Sequence, residues 1–116
     1  MSRWLVCGGR DFDDYEYLAD ALDAIVAKFG RPLLVISGGA AGADTGAMRW
    51  AVANKIRRRV FSADWAQHGK AAGMLRNTRM LVEGQPDLVV AFRGGRGTEN
   101  MVNQAQVAGV AVVRVP

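Results

Sequence analysis

The sequence predicts an α/β protein: a Rossmann-like, three-layer α/β/α domain spanning residues 1–116, built on a five-stranded, mostly parallel sheet. Two observations lead there. Short apolar runs of strand length, such as Leu33-Leu34-Val35-Ile36 and Leu88-Val89-Val90-Ala91-Phe92, alternate along the chain with segments of helical period. Two of these runs stop at glycine-rich turns, Ser37-Gly38-Gly39-Ala40-Ala41-Gly42-Ala43-Asp44 and Arg93-Gly94-Gly95-Arg96-Gly97-Thr98, and a helical pattern follows each at once. Strands and helices in strict alternation call for parallel pairing with helices on both faces of the sheet.

Taken in order, Trp4 to Cys7 reads as a buried strand ending in Gly8-Gly9-Arg10-Asp11-Phe12. Asp13 and Glu16 have capping-box spacing, and Leu18, Ala21, Leu22, Ile25, Val26 and Phe29 mark one helical face. Gly30-Arg31-Pro32 stops that helix. Leu33 to Ile36 is the second strand, followed by a helix from about Asp44 to Asn54. The third strand is Arg59 to Ser62 at most, the least patterned of the five, and Asp64 to Gly69 reads as a loop. A helix from Lys70 to Glu83 closes at Gly84, with Pro86 beyond it. The strand ending at Phe92, a helix from the Gly94–Gly97 turn to about Ala108, and a last strand from Val110 to Val115 complete the chain.

Two faces separate on the Lys70–Glu83 helix at ~100° per residue. Ala71, Met74, Leu75, Thr78, Leu81 and Val82 form the natural sheet-facing stripe. Gly73, Arg76, Asn77 and Met80 fall at i, i+3, i+4 and i+7 on the other side, where they suit a ligand or a partner subunit. A homodimer or higher homo-oligomer through that face is the expectation.

Composition limits the function. Half of the 116 residues are hydrophobic and 22% are charged, as in a folded chain. With Cys7 as the single cysteine, neither an internal disulfide nor a cysteine metal cluster can form, and Cys7 reads as a packed small hydrophobe. No run approaches the ~18 apolar residues of a membrane span. Met1-Ser2-Arg3-Trp4 leads straight into a strand without a secretory signal, so a cytoplasmic location away from membranes is expected. His68 is the only histidine and the carboxylates are scattered, so no metal site is expected beyond magnesium carried by a phosphate ligand. The net charge of +4 and the run Arg57-Arg58-Arg59 keep nucleic acid as an alternative partner to a solvated strand.

The chemistry concentrates at the glycine turns. Neither is a Walker A motif, since no Gly-Lys-Ser/Thr follows, and neither reads G-x-G-x-x-G. Even so, a tight turn without Cβ atoms that feeds a helix N-terminus gathers unpaired N–H groups suited to an anion. The Thr98 hydroxyl is placed to cap its helix, and Arg10, Arg76, Arg93 and Arg96 could grip phosphate bidentately. A nucleotide-type ligand follows, held by Gly9, Arg10, Ser37, Gly38, Gly39, Gly42, Asp44, Arg76, Asn77, Gly94, Gly95, Arg96, Gly97 and Thr98. Ligands of such sheets sit beyond the carboxyl ends of the strands, where these turns fall. Catalysis at a ribosyl bond would need a carboxylate to stabilise charge at the anomeric carbon or to activate water. Asp11, Asp44 and Glu99 are the candidates, with Asp64 less central. Each also has a structural reading: Asp11 pinning its turn, Asp44 as an N-cap, and Glu99 meeting a helix dipole.

On these residues the chain resembles the SLOG superfamily, in particular its YspA (cpYpsA-related) branch. The matching pieces are Gly8-Gly9-Arg10-Asp11-Phe12, Ser37 to Asp44, Ala63-Asp64-Trp65 with His68-Gly69-Lys70-Ala71-Ala72-Gly73, Arg76-Asn77 and Gly94 to Thr98. The resemblance implies a Rossmann-like fold that binds nucleotides or nucleotide-derived ligands, as a sensor or a nucleotide-processing domain. It also implies distant kinship to the LOG phosphoribohydrolases, which release a base from a nucleoside monophosphate, and to DprA, which binds single-stranded DNA. The LOG signature reads P-G-G-x-G-T-x-x-E, with R-K-x-x-M upstream. Here Arg93 replaces the proline, Asn77 the lysine, and Met101 the glutamate, while Glu99 lies ~200° around the helix from position 101.

Overall fold

A computed structural model describes residues 2–116. Five strands form one all-parallel sheet in the order β3-β2-β1-β4-β5. They are β1 (Arg3–Cys7), β2 (Leu34–Ser37), β3 (Arg57–Val60), β4 (Leu88–Ala91) and β5 (Ala111–Arg114). The chain winds outward from β1 to β3, then returns to the other side of β1 for β4 and β5. The order therefore reverses between β1 and β4, and a crevice opens there at the carboxyl ends.

Helices α1 (Tyr15–Phe29) and α2 (Ala43–Ala53) cover one face. Leu18, Leu22 and Ile25 of α1 and Ala47, Trp50 and Ala51 of α2 pack on Trp4, Val6, Val35 and Val90. The Trp4 and Trp50 rings stack in that layer with centroids 6.1 Å apart. On the other face, α4 (Ala72–Gly84) and α5 (Arg96–Val107) bury Met80, Met101, Val102 and Ala105 against Leu5, Ile36, Val89 and Ala91. A single turn of helix, α3 (Trp65–His68), and a 3-10 turn at Gly69–Ala71 lead into α4. No helix among the described residues is long and apolar enough to cross a membrane.

The differences from the sequence reading have local causes. The α1 cap is Asp14, one residue beyond the expected Asp13, and its side chain accepts from the Tyr17 N–H at 3.1 Å. Strand β3 starts at Arg57, two residues early, because its register follows the pairing of Leu34 with Arg57 and Ser37 with Val60, not an apolar period of its own. The expected loop at Asp64 contains α3, nucleated by Asp64 Oδ1 accepting from the Gln67 N–H.

The faces of α4 are exchanged. Met80 is 2% exposed and Asn77 3%, whereas Met74, Leu75 and Val82 of the apolar stripe lie open to solvent. The cause is close approach at the C-terminal end: a Cβ on Gly84 would sit 3.0 Å from the Ile36 side chain, so the small-residue side is the one that fits the sheet. On the face offered to a ligand or a partner subunit, Asn77 and Met80 are buried, while Gly73 and Arg76 are half-buried.

Candidate functional site

Three turns meet at the crevice and lock one another. The Gly9 N–H donates to the Arg93 carbonyl at 2.7 Å, and the Gly9 carbonyl accepts from the Ala43 N–H at 3.1 Å. These contacts leave no room for side chains. A Cβ on Gly8 would lie 2.6 Å from the Ala43 Cβ, and one on Gly42, where φ is +77°, would overlap the Gly9 and Arg10 carbonyl oxygens. A Cβ on Gly94 would overlap the Thr98 hydroxyl and come within 2.8 Å of the Gly9 nitrogen. Gly95 and Gly97 differ: a Cβ at either would meet nothing within 4 Å. Packing requires the first group, while the second keeps a surface bare.

The two glycine turns do different work. In the Ser37–Asp44 turn, the N–H groups are largely used internally. Ser37 Oγ, fully buried, accepts from the Gly39 N–H at 3.3 Å, Asp44 Oδ2 accepts from the Ala40 N–H at 3.0 Å, and Ala43 is bound to Gly9. Gly42, not Asp44, holds the N-cap position of α2. In the Gly94–Thr98 turn, no acceptor among the described residues takes the N–H of Gly94, Gly95, Arg96, Gly97 or Thr98. Thr98 is not a cap; it sits buried in the first turn of α5, beneath those open donors. An anion at this end meets both the free N–H groups and the positive end of the helix dipole.

The crevice is a cleft of about 720 Å³, lined by Gly9, Arg10, Asp11, Gly38, Asp44, Arg76, Asn77, Arg93 and Gly94 to Thr98, with Cys7, Phe12, Gly73, Met80 and Met101. A smaller chamber of about 290 Å³ adjoins it, sharing Arg10, Gly38, Ala40, Trp65 and Arg76 and adding Gly39, Ala41, Ser62 and Ala63. Four arginines border the larger cleft against two carboxylates, so its field favours an anion.

Arg76 is fixed at the floor. Its Nη1 donates to the Gly38 carbonyl at 2.7 Å and its Nε to Asn77 Oδ1 at 3.0 Å. Burial lowers its pKa and the neighbouring Asp44 raises it again. Asn77 spends its own amide hydrogens on the Gly97 carbonyl and Asn100 Oδ1, so it ties α4 to the start of α5 and orients Arg76 instead of presenting a free donor. Arg10 and Arg93 lie over aromatic rings, Trp65 and Phe12, each with its guanidinium carbon 5.5 Å from the ring centroid.

The carboxylates separate clearly. Asp44 is 6% exposed, and burial pushes its carboxyl up to about 6, partly offset by the Ala40 N–H and by Arg76. Asp11 is exposed at the rim. Glu99 lies outside both chambers, where Arg114 Nη2 and Nη1 donate to its two oxygens at 2.9 and 3.0 Å. That pairing holds the Glu99 carboxyl below its usual range. Cys7 lines the cleft, but burial foremost pushes its thiol up to about 12, which leaves it inert as a nucleophile. Arg57, Arg58 and Arg59 line neither chamber, and Arg59 pairs with Glu83 at 3.5 Å.

With this geometry in view, relatives can be weighed. The sequence model of the YspA, cpYpsA-related SLOG family matches residues 3–68. The Gene 61 protein of Mycobacterium phage D29 is 38% identical over 120 residues, covering 97% of this chain and 95% of that protein. The chain belongs to the YspA, cpYpsA-related SLOG family. In this SLOG chain the family match takes in Gly8 to Phe12, Ser37 to Asp44 and Trp65, whereas Arg76 and the Gly94–Thr98 turn lie beyond it. Among solved structures, TM1055 superposes with a TM-score of 0.70 at 20% identity, covering 97% of this chain and 72% of that one. Glycinamide ribonucleotide transformylase 1 from Geobacillus kaustophilus gives 0.50 at 19%, covering 98% of this chain and 57% of that one. At such identities both likenesses speak to the fold.

The sequence placed Gly73 and Met80, with Arg76 and Asn77, on a helix face suited to a ligand or a partner subunit, and all four line the cleft, whereas Trp65 and Met101 were not among the expected ligand residues. Trp65 carried a signal, an aromatic beside a helix-capping aspartate in a polar stretch. Met101 carried none, since an apolar residue on a helix says core before it says cleft wall.

Proposed function

We propose that this chain binds a nucleotide or other ribosyl phosphate in the cleft between β1 and β4. The phosphate takes the unpartnered N–H groups of Gly95 to Thr98, with Arg76 as the hydrogen-bonded cation and Arg10, Arg93 and Arg96 as exposed ones. The observation that carries this reading is the convergence of those open donors with four arginines on one cleft. Family membership supports it independently. Any magnesium would arrive with the phosphate as its counter-ion. Calorimetry with AMP and ADP-ribose tests it: saturable binding that falls at least tenfold in Arg76→Ala is expected, and absence of binding refutes it.

One observation favours a second reading, hydrolysis of the N-glycosidic bond of a nucleoside monophosphate. Asp44 is a buried carboxylate lining the cleft, and burial pushes its carboxyl up to about 6, which suits a group that takes a proton from water. Water would add to the anomeric carbon, losing a proton to Asp44, as the base departs with the bonding electron pair and takes up a proton from solvent, giving ribose 5-phosphate and free base. Asp44, and not the Arg114-paired Glu99, then carries the reaction. Release of free base from AMP that disappears in Asp44→Asn and persists in Glu99→Gln supports this reading. Binding without release restricts the chain to recognition.

A further inference from the structure

The geometry points to Trp65 as a stacking platform for the ligand's base, with the base in the smaller chamber while the phosphate rests at the Gly94–Thr98 turn. This rests on the phosphate-binding reading above and adds where the rest of the ligand goes. Three features of Trp65 carry it. A core-forming tryptophan would be buried like Trp4 and Trp50, yet Trp65 is 49% exposed and borders both chambers. Its ring tip faces α4 at Gly73, where an added Cβ would lie 3.5 Å from Trp65 Cη2, so a glycine at that point leaves the indole room beside the helix.

The third feature is Arg10. Its guanidinium carbon lies over the indole at 5.5 Å from the centroid. Stacked aromatic rings take centroid separations of ~4.5–7 Å, so the space that guanidinium holds is the space a stacked base would occupy. Arg10 is exposed and borders the larger cleft as well, so it can exchange the indole face for the ligand's phosphate. Arrival of the base and recruitment of Arg10 to the phosphate are then one event. The walls beside Trp65 from Gly39, Ala40, Ala41 and Ala63 are small, Ser62 adds a hydroxyl, and Arg10 and Arg76 are shared with the larger cleft. Such a chamber accepts a flat heteroaromatic ring by shape and stacking.

The test compares AMP with ribose 5-phosphate, which lacks the base, by calorimetry on the wild-type chain, Trp65→Ala and Trp65→Phe. Stacking on an aromatic side chain is worth roughly 5- to 150-fold per base, so the wild-type chain should prefer AMP by a factor in that range. Trp65→Ala should lower AMP affinity and bring it close to that of ribose 5-phosphate, and Trp65→Phe should retain most of the preference. An AMP preference that survives Trp65→Ala, or a wild-type chain that binds both ligands equally, overturns the inference and leaves the phosphate site standing. Failure of both ligands to bind overturns the phosphate reading and this inference with it. The substitution is at an exposed position, and an unchanged circular dichroism spectrum verifies that the variant is folded.

Discussion

Single glycines distinguish a scaffold from a binding surface. Gly94 and Gly97 stand three residues apart, yet only the first is enclosed by the fold. Gly94→Ala should cost about 1–3 kcal/mol, since its Cβ would collide with Thr98 and the Gly9 backbone. Gly97→Ala should leave stability unchanged or raise it by about 0.5–1 kcal/mol, because alanine suits a helix better and meets nothing there. Urea titrations of the two variants measure the contrast. Asp44 gives a pH-dependent version of the same argument. Its folded pKa is raised from 3.8 to about 6, with burial the largest cause, so its contribution to stability is fully present below pH ~4 and is lost as pH rises through about 6. At one pKa unit to ~1.4 kcal/mol, keeping this carboxylate ionised costs on the order of 2–3 kcal/mol at neutral pH. Asp44→Asn should therefore stabilise the chain at pH ~8 and have little effect at pH ~4, as denaturation at the two pH values will reveal.

At the scale of elements, α4 carries the largest revision. Met80→Ala should destabilise by about 2–5 kcal/mol, because Met80 fills the layer between α4 and the sheet. Met74→Ala, on the exposed stripe, should stay within about 0.5 kcal/mol. Equal effects from the two substitutions would return α4 to the orientation that its apolar period suggested. That period was a true signal read on too few terms. Amphipathicity ranks faces by apolar content, whereas this helix docks by its small-residue side, and only the tertiary contact of Gly84 with Ile36 reveals the choice. The strands were legible because Trp4 to Cys7, Leu34 to Ile36 and Leu88 to Ala91 are apolar runs in a sheet covered on both faces. Strand β3 was legible only roughly, since Arg57 to Val60 are exposed and take their register from β2. The turns announced themselves through glycine, but not their division of labour. Which N–H groups remain open depends on Ser37, Asp44 and Gly9 as acceptors, and one of those lies far off in sequence.

Over the whole molecule, the sheet order brings the β1 and β4 loops together and places a helix N-terminus and four arginines around one carboxylate of intermediate acidity. That arrangement couples ligand charge to Asp44. An anionic ligand should bind more tightly when Asp44 is neutral, so ADP-ribose affinity should fall as pH rises through about 6, and Asp44→Asn should flatten the profile. A pH-independent wild-type affinity would separate Asp44 from the phosphate. The central claim, that the Gly94–Thr98 turn is a phosphate cradle and not only a tight connection, is tested most directly by calorimetric titration of AMP into the wild-type chain and Gly97→Val. The account predicts saturable binding to the wild-type chain, lost at least tenfold in a variant that unfolds within a few degrees of it. Absence of wild-type binding, or equal affinity in the two, would contradict it.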